Sequence, residues 1–142
     1  MCAQADEALL SETARLKSAA RNEENKMPVK RLRVGPRMSQ IVVHGDTVYL
    51  AGLTADDLVQ SVPEQTRQVL AKIDAHLAEA GTDKSKLLSA NIWLTDMGRF
   101  AEMNSIWDAW VAPGNTPARA TVQALLAHPD ILVEIMVTAA LG

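Results

Sequence analysis

The chain has a single cysteine, Cys2, so no intrachain disulfide can hold it together, which fits a reducing compartment such as the cytosol. Aromatic residues make up only 4%, one Phe, one Tyr and three Trp, too few for the stacking platforms that single-stranded nucleic acid requires. No charge of one sign dominates: 14 Lys and Arg against 17 Asp and Glu give a formal net charge of -3, and hence no general attraction for nucleic acid or anionic lipid. No apolar run exceeds four residues, far short of the roughly 18 that a membrane-spanning helix needs. The phosphate-binding patterns GxGxxG and GxxxxGK are missing, as are HExxH, paired CxxC and the GxSxG nucleophile elbow. Nucleotide and serine-hydrolase chemistry lose support accordingly.

What is present suits one soluble cytoplasmic domain: 142 residues, 48% hydrophobic and 22% charged, enough for one core. Residues 1–26 read as an N-terminal extension, helical or disordered, rich in Ala and charge. Asp6, Glu7, Glu12, Glu23 and Glu24 oppose an organellar targeting role. Met27 stands directly before Pro28 and the first strand-like run, so it is an alternative start, with the domain over 27–142.

Hydrophobic periodicity predicts the order βββαβαββ. Strands are expected at Lys30 to Val34, Ser39 to His44 and Thr47 to Ala51, the last two joined by a Gly45-Asp46 turn. Ser61-Val62-Pro63-Glu64 has capping-box spacing, and Val62, Thr66, Val69, Leu70, Ile73, Leu77 and Ala80 recur at helical intervals until Gly81. Leu87 to Leu94 alternates, with Leu88, Ala90, Ile92 and Leu94 on one face. Asp96 can cap a second helix bearing Met103, Ile106, Trp107, Trp110 and Val111. Strands at Arg119 to Leu126 and Ile131 to Thr138 follow, joined by a turn at 127–130. Two helices cover one face of a sheet, yet the last strand is apolar on both, with Leu132 and Met136 opposite Ile131, Val133, Ile135 and Val137. A second copy of the chain is the expected cover, making a homo-oligomer.

Candidate chemistry is sparse. His44, His76 and His128 fall on a strand end, a helix flank and a turn, with no metal-ligand spacing. Lys26, Lys30, Arg31, Arg33 and Arg37 form a basic cluster that reads as a charged edge strand for all but Arg37. Trp107 and Trp110 belong to the helix's apolar stripe, where packing outweighs ligand stacking. Trp93 has the opposite parity from Ile92 and Leu94. Glu134 interrupts Leu132-Val133-Glu134-Ile135-Met136-Val137, where an unpaired carboxylate is costly, so it must face a polar cavity, a partner or an interface. Arg119 follows Thr116-Pro117-Ala118, small residues that leave its guanidinium reachable. A tight hairpin at 127–130 would put Gln123 opposite Glu134, and Arg119 on Glu134's face about 13 Å away. A pocket between them, or completion by a neighbouring subunit, then fits better than a salt bridge. The competing reading is a pair that only stabilises an interface.

At these residues the chain resembles the reactive intermediate deaminase family, also called the Rid or YjgF-like family. The resemblance spans about Met27 to Ala140. It rests on Gly35-Pro36, Tyr49-Leu50-Ala51-Gly52, the helix start Glu64-Gln65-Thr66-Arg67-Gln68-Val69-Leu70, and Leu94-Thr95-Asp96 with Phe100 and Asn104. Above all it rests on Pro117-Ala118-Arg119 followed by Val133-Glu134-Ile135. It implies a chorismate-mutase-like α/β fold assembled as a homotrimer, with sites between subunits and no metal or organic cofactor. The implied activity is hydrolysis of reactive enamines and imines, 2-aminoacrylate among them, to 2-keto acids and ammonia. By that resemblance Arg119 anchors the substrate carboxylate, Glu134 orients the attacking water, backbone groups at Ala120 and Thr121 align the imine end, and Asn104 lines the cleft. The chain departs from the family's pattern at Arg37, Ala51 and Leu53, where an aromatic residue, a serine and a glutamine are common. A second cation at Arg37 would favour a dicarboxylate or bulkier anionic substrate. A trimer that binds 2-keto acids without turning them over is the alternative function. RNA cleavage, also attached to parts of the family, is the weakest reading, given the acidic balance.

Overall fold

The computed structural model describes residues 11–19 and 27–142. Residues 11–19 form a helix with exposed side chains, while Cys2 and Lys26 lie outside the described residues. The main elements are β1 (Val29–Val34), β2 (Ser39–His44), β3 (Thr47–Leu50), α1 (Val62–Ala80), β4 (Leu87–Leu94), α2 (Phe100–Trp110), β5 (Ala118–Gln123) and β6 (Val133–Ala140). This is the βββαβαββ order read from the sequence. No helix among the described residues is long and apolar enough to cross a membrane.

Local chemistry explains most boundaries. Gly45, with φ 58°, makes the β2–β3 turn, where a positive φ at the first position matches the twist of a hairpin and His44 pairs with Thr47. α1 buries Val62, Thr66, Val69, Leu70, Ile73 and Leu77 and stops at Gly81, whose φ of 91° lets the following Thr82 amide turn back to the Leu77 carbonyl. The Ser61–Glu64 capping box does not form, since the Ser61 side chain makes no cap bond. Gln65 ties that end to the chain before β6. It is fully buried; its Nε2 donates to the Gln60 and Asp130 carbonyls at 3.1 and 2.9 Å, and its Oε1 accepts from the Leu132 amide at 3.0 Å. Asp96 does cap, accepting from the Gly98 amide of a 3-10 turn at Met97–Arg99 that leads into α2.

The six strands form one mixed sheet in the order β1-β2-β3-β6-β4-β5. Only β4 and β5 are parallel. This corrects the expected β5–β6 hairpin. A helix separates β4 from β5, and a strand returning through a crossover helix lies parallel beside the first, so β5 takes the outer edge of β4. β6 then turns back along the other side of β4 and closes against β3. A bulge between Leu87 and Ser89 shifts the β4 register, so Leu87 is buried and Leu88 exposed, contrary to the simple alternation.

α1 and α2 lie on one sheet face, over a core that includes Ile41, Val48, Ile92, Leu94, Met103, Val133 and Ile135. The other face carries no helix of this sheet domain and shows Val42, Tyr49, Trp93, Val122 and Met136, paired across neighbouring strands.

Two outcomes follow for stability. Gln65→Leu keeps the volume but strands the Leu132 amide and two carbonyls. The variant should lose about 3 kcal/mol in urea unfolding, and an unchanged midpoint would contradict this role of Gln65. His76 is buried with Nδ1 unpartnered. Burial and then the charge of Arg33 hold its imidazole below the ordinary histidine range, against a smaller opposing effect of Glu79. The fold therefore holds neutral His76, whereas the unfolded chain takes up a proton near pH 6.5, so this stabilisation is complete above about pH 6.5 and lost as pH falls below it. The unfolding midpoint of His76→Gln should fall less between pH 7 and 5 than that of the unsubstituted protein; equal declines would contradict this.

Candidate functional site

Arg119 and Thr121 share a face of β5. Their cross-strand partners Ala90 and Ile92 point into the core, so both residues face the helix layer. There α2 presents Phe100, Asn104 and Trp107, spaced four and three residues apart and so stacked on one helix face. The guanidinium carbon of Arg119 lies 5.3 Å from the Trp107 ring centroid and 5.9 Å from that of Phe100, within cation–π range. Trp107 is buried and leans on Trp110 at 5.4 Å. Trp110 is fixed in turn by its indole N–H, which donates to Asp74 Oδ2 at 2.9 Å, and by the Lys84 ammonium above its ring. Arg119 has no ion pair among the described residues. Two polar atoms of the same corner, Asn104 Oδ1 and Thr121 Oγ1, are buried without a hydrogen-bond partner. The corner therefore holds an uncompensated cation, an unused acceptor and an unused hydroxyl, which together suit a small anionic ligand with an N–H group.

Glu134 belongs to the other face. It pairs across β4 with Trp93, away from the helices, as the parity of Trp93 predicts. The chain after β3 shapes its surroundings. The Ala51 amide donates to the Gln40 carbonyl, and Leu53 exchanges both backbone bonds with Ile135, which carries Gly52 directly over the Glu134 side chain. A Cβ on Gly52 would stand 2.9 Å from Glu134 Oε2, so only glycine lets the strand and the carboxylate approach so closely. Glu134 has no ion pair among the described residues. Arg37 sits exposed in the β1–β2 turn, closed by the Gly35 amide donating to the Met38 carbonyl, and lines an open cavity of about 400 Å³ with Gln40. Leu53 is buried in the core and does not border this surface.

The residues named from sequence thus fall into two groups. Arg119, Asn104 and Thr121 meet at the β5–α2 corner. Glu134 adjoins the Ala51–Gly52 segment on the open face, with the Arg37 turn beyond Gln40. Ala120 also points to the open face, on β5 beside Asn91. The expectation that Arg119 and Glu134 share a face is corrected: Arg119 lies in the row of Ala90 and Val137, Glu134 in the row of Trp93 and Val122. They are two strands and three residues apart, about 10 Å in each direction, and on opposite faces. A single chain does not unite them. Sequence reasoning placed Trp107 in packing alone and read Gly52 only as a hairpin end. The spacing of Phe100, Asn104 and Trp107 is the signal that could have tied the rings to Asn104, whereas nothing local marks the approach of Gly52 to Glu134.

Comparison with known proteins agrees with this fold. The profile of the family described as "Endoribonuclease L-PSP" matches residues 30–141. The RutC family protein YoaB of Escherichia coli K12 is 44% identical over 114 residues, 80% of this chain and 99% of the relative. A RutC family protein of Haemophilus ducreyi is 42% identical over 114 residues, covering 80% of this chain and 97% of its own. The crystal structure of a YjgF-family protein from Neisseria meningitidis superposes with a TM-score of 0.80 at 46% identity, over 82% of this chain and 97% of that one. With its full sheet domain matched in sequence and in fold, the chain belongs to the YjgF/RutC family.

Proposed function

We propose that the protein is a cofactor-independent deaminase that hydrolyses imines and enamines of 2-amino acids to 2-keto acids and ammonia, and that its site is shared between copies of the chain in a homotrimer. The observation that carries this reading is the uncompensated Arg119 with the unused Asn104 and Thr121 beside it, separated by the thickness of the sheet from an equally uncompensated Glu134. Charges left half-buried without partners suit groups meant for a ligand. The uncovered sheet face supports the assembly. Tyr49 and Val122 are 46% and 50% exposed on it, beside Trp93 and Met136, an apolar surface that a second copy would bury.

The chemistry asks little of the protein. Arg119 holds the substrate carboxylate through paired N–H donors, and Asn104 Oδ1 accepts from the imine N–H. Ala120 and Thr121 lie on the sheet's edge strand, whose outward backbone groups can align the substrate. A water held by Glu134 of a neighbouring copy adds to the imine carbon. Its proton passes by way of the carboxylate to nitrogen, and the carbinolamine collapses to a keto acid and ammonia. Imines hydrolyse unaided in water, so orientation and one proton shuttle suffice. Arg37 adds a second cation at the open cavity it lines with Gln40, which would extend the substrate range to acidic imines.

A non-catalytic trimer that captures 2-keto acids at Arg119 is the second reading, favoured by the same corner if Glu134 has no water to orient. RNA cleavage, which the matched profile's description suggests, has less support. The net charge is -3, and the three histidines are scattered over the end of β2, the buried side of α1 and the 124–132 loop.

The test is keto-acid release from imines generated in place by an amino-acid oxidase. Arg119→Ala should raise KM by roughly tenfold or more. Glu134→Gln should keep keto-acid affinity and lower kcat by about 100-fold. No acceleration over the spontaneous rate, with keto-acid binding intact, would replace the deaminase with the binding protein. Gly52→Ala brings its Cβ against the Glu134 side chain alone, so its kcat should fall by about tenfold while its melting temperature stays within about 2 °C. Full activity in Gly52→Ala would contradict the placement of the Glu134 carboxylate.

A further inference from the structure

An arginine that is half-buried ordinarily meets a carboxylate, which orders it and neutralises it together. Arg119 is ordered differently. Its guanidinium lies over the rings of Trp107 and Phe100, at 5.3 and 5.9 Å, and it has no anionic partner among the described residues. Ring faces attract the cation without occupying its N–H donors, which stay free for a planar anion. They also remove rotamer freedom that a long side chain would otherwise lose on binding. A glutamate in their place would hold the arginine equally well and compete with the ligand for it.

We propose that Trp107, assisted by Phe100, is a positioning residue for Arg119: an aromatic seat that keeps the guanidinium ordered, charged and vacant for the substrate carboxylate. The proposal rests on the anionic-substrate reading given above. Trp107 itself is suited to the role because it is closely packed. It is 5% exposed, and it leans on Trp110, which the Asp74 hydrogen bond and the Lys84 ammonium fix from the far side. A residue serving only the core would need neither this orientation toward a cation nor an aromatic ring.

The test uses the full chain, with pyruvate and 2-oxobutanoate as probes of carboxylate binding by calorimetry, alongside imine-hydrolysis kinetics. Trp107→Leu should weaken keto-acid binding and raise KM by roughly tenfold, with kcat changed by less than about threefold. Trp107→Phe restores a ring face and should bring both values back to within about threefold of the unsubstituted protein. Wild-type affinity in Trp107→Leu, or equal impairment of Trp107→Phe and Trp107→Leu, overturns the seat. Arg119→Ala separates the two levels of the argument. If it leaves keto-acid binding unchanged, the anionic-ligand reading falls and the seat with it; if it abolishes binding while Trp107→Leu is silent, the seat alone falls. Should Trp107→Leu fail to fold, the unsubstituted protein still decides. The Arg119 side-chain proton resonances, assigned by their loss in Arg119→Ala, should be displaced upfield by the ring currents, and ordinary arginine shifts overturn the proposal.

Discussion

β6 cannot face the same surroundings on both sides, and much of the structure depends on how that is resolved. Val133, Ile135, Val137 and Ala139 are buried beneath the helix layer, while Glu134 and Met136 point the other way between β3 and β4. The apolar side fixes the register, because a slip of one residue would put Glu134 into the core. The fully buried Gln65 adds a second constraint at the strand's entry, binding the Asp130 carbonyl and the Leu132 amide just before β6 begins. Glu134 thus sits where core packing and one buried amide place it.

The same topology separates the two charges that the proposed chemistry needs. β5 returns beside β4 through a helix, so Arg119 comes to rest against α2, on the face opposite Glu134. Within one chain the cation and the carboxylate cannot neutralise each other. Each remains available, and the proposed assembly brings them together across a subunit boundary instead of within a fold. In this account the aromatic seat under Arg119 and the glycine over Glu134 are two solutions to one problem: holding a charged group in place without giving it a permanent partner.

Much of the fold was legible because it is written in local periodicity. The stripe Val62, Thr66, Val69, Leu70, Ile73, Leu77 gave α1, and Gly45 and Gly81 marked their turns through backbone conformations that glycine adopts readily. Strand order was not local. The alternation of 119–123 and 133–138 is equally compatible with a hairpin and with two strands flanking β4; only the crossover through α2 decides. That one missed step reversed the face assigned to Arg119. The Ser61 cap expected from a short motif does not form, and that end of the helix is tied instead by buried Gln65 to residues 65 and 67 positions away, beyond the reach of any short motif. Arg119 and Glu134 themselves stood out in the sequence because a charge amid small or apolar residues is conspicuous, whereas Trp107 looked like any other core residue until its ring was seen under a guanidinium.

The central claim is that Arg119 and Glu134 of different copies make one site, and subunit mixing tests it most directly. Arg119→Ala and Glu134→Gln, each impaired as a homo-oligomer, would be unfolded together in equal amounts, refolded and assayed for imine hydrolysis at substrate well below KM. Random reassembly into closed rings should regain about a quarter of the unsubstituted activity, since that fraction of subunit boundaries pairs an intact arginine with an intact carboxylate. Activity that stays at the level of the separate variants, in mixed oligomers confirmed by mass, would contradict a shared site.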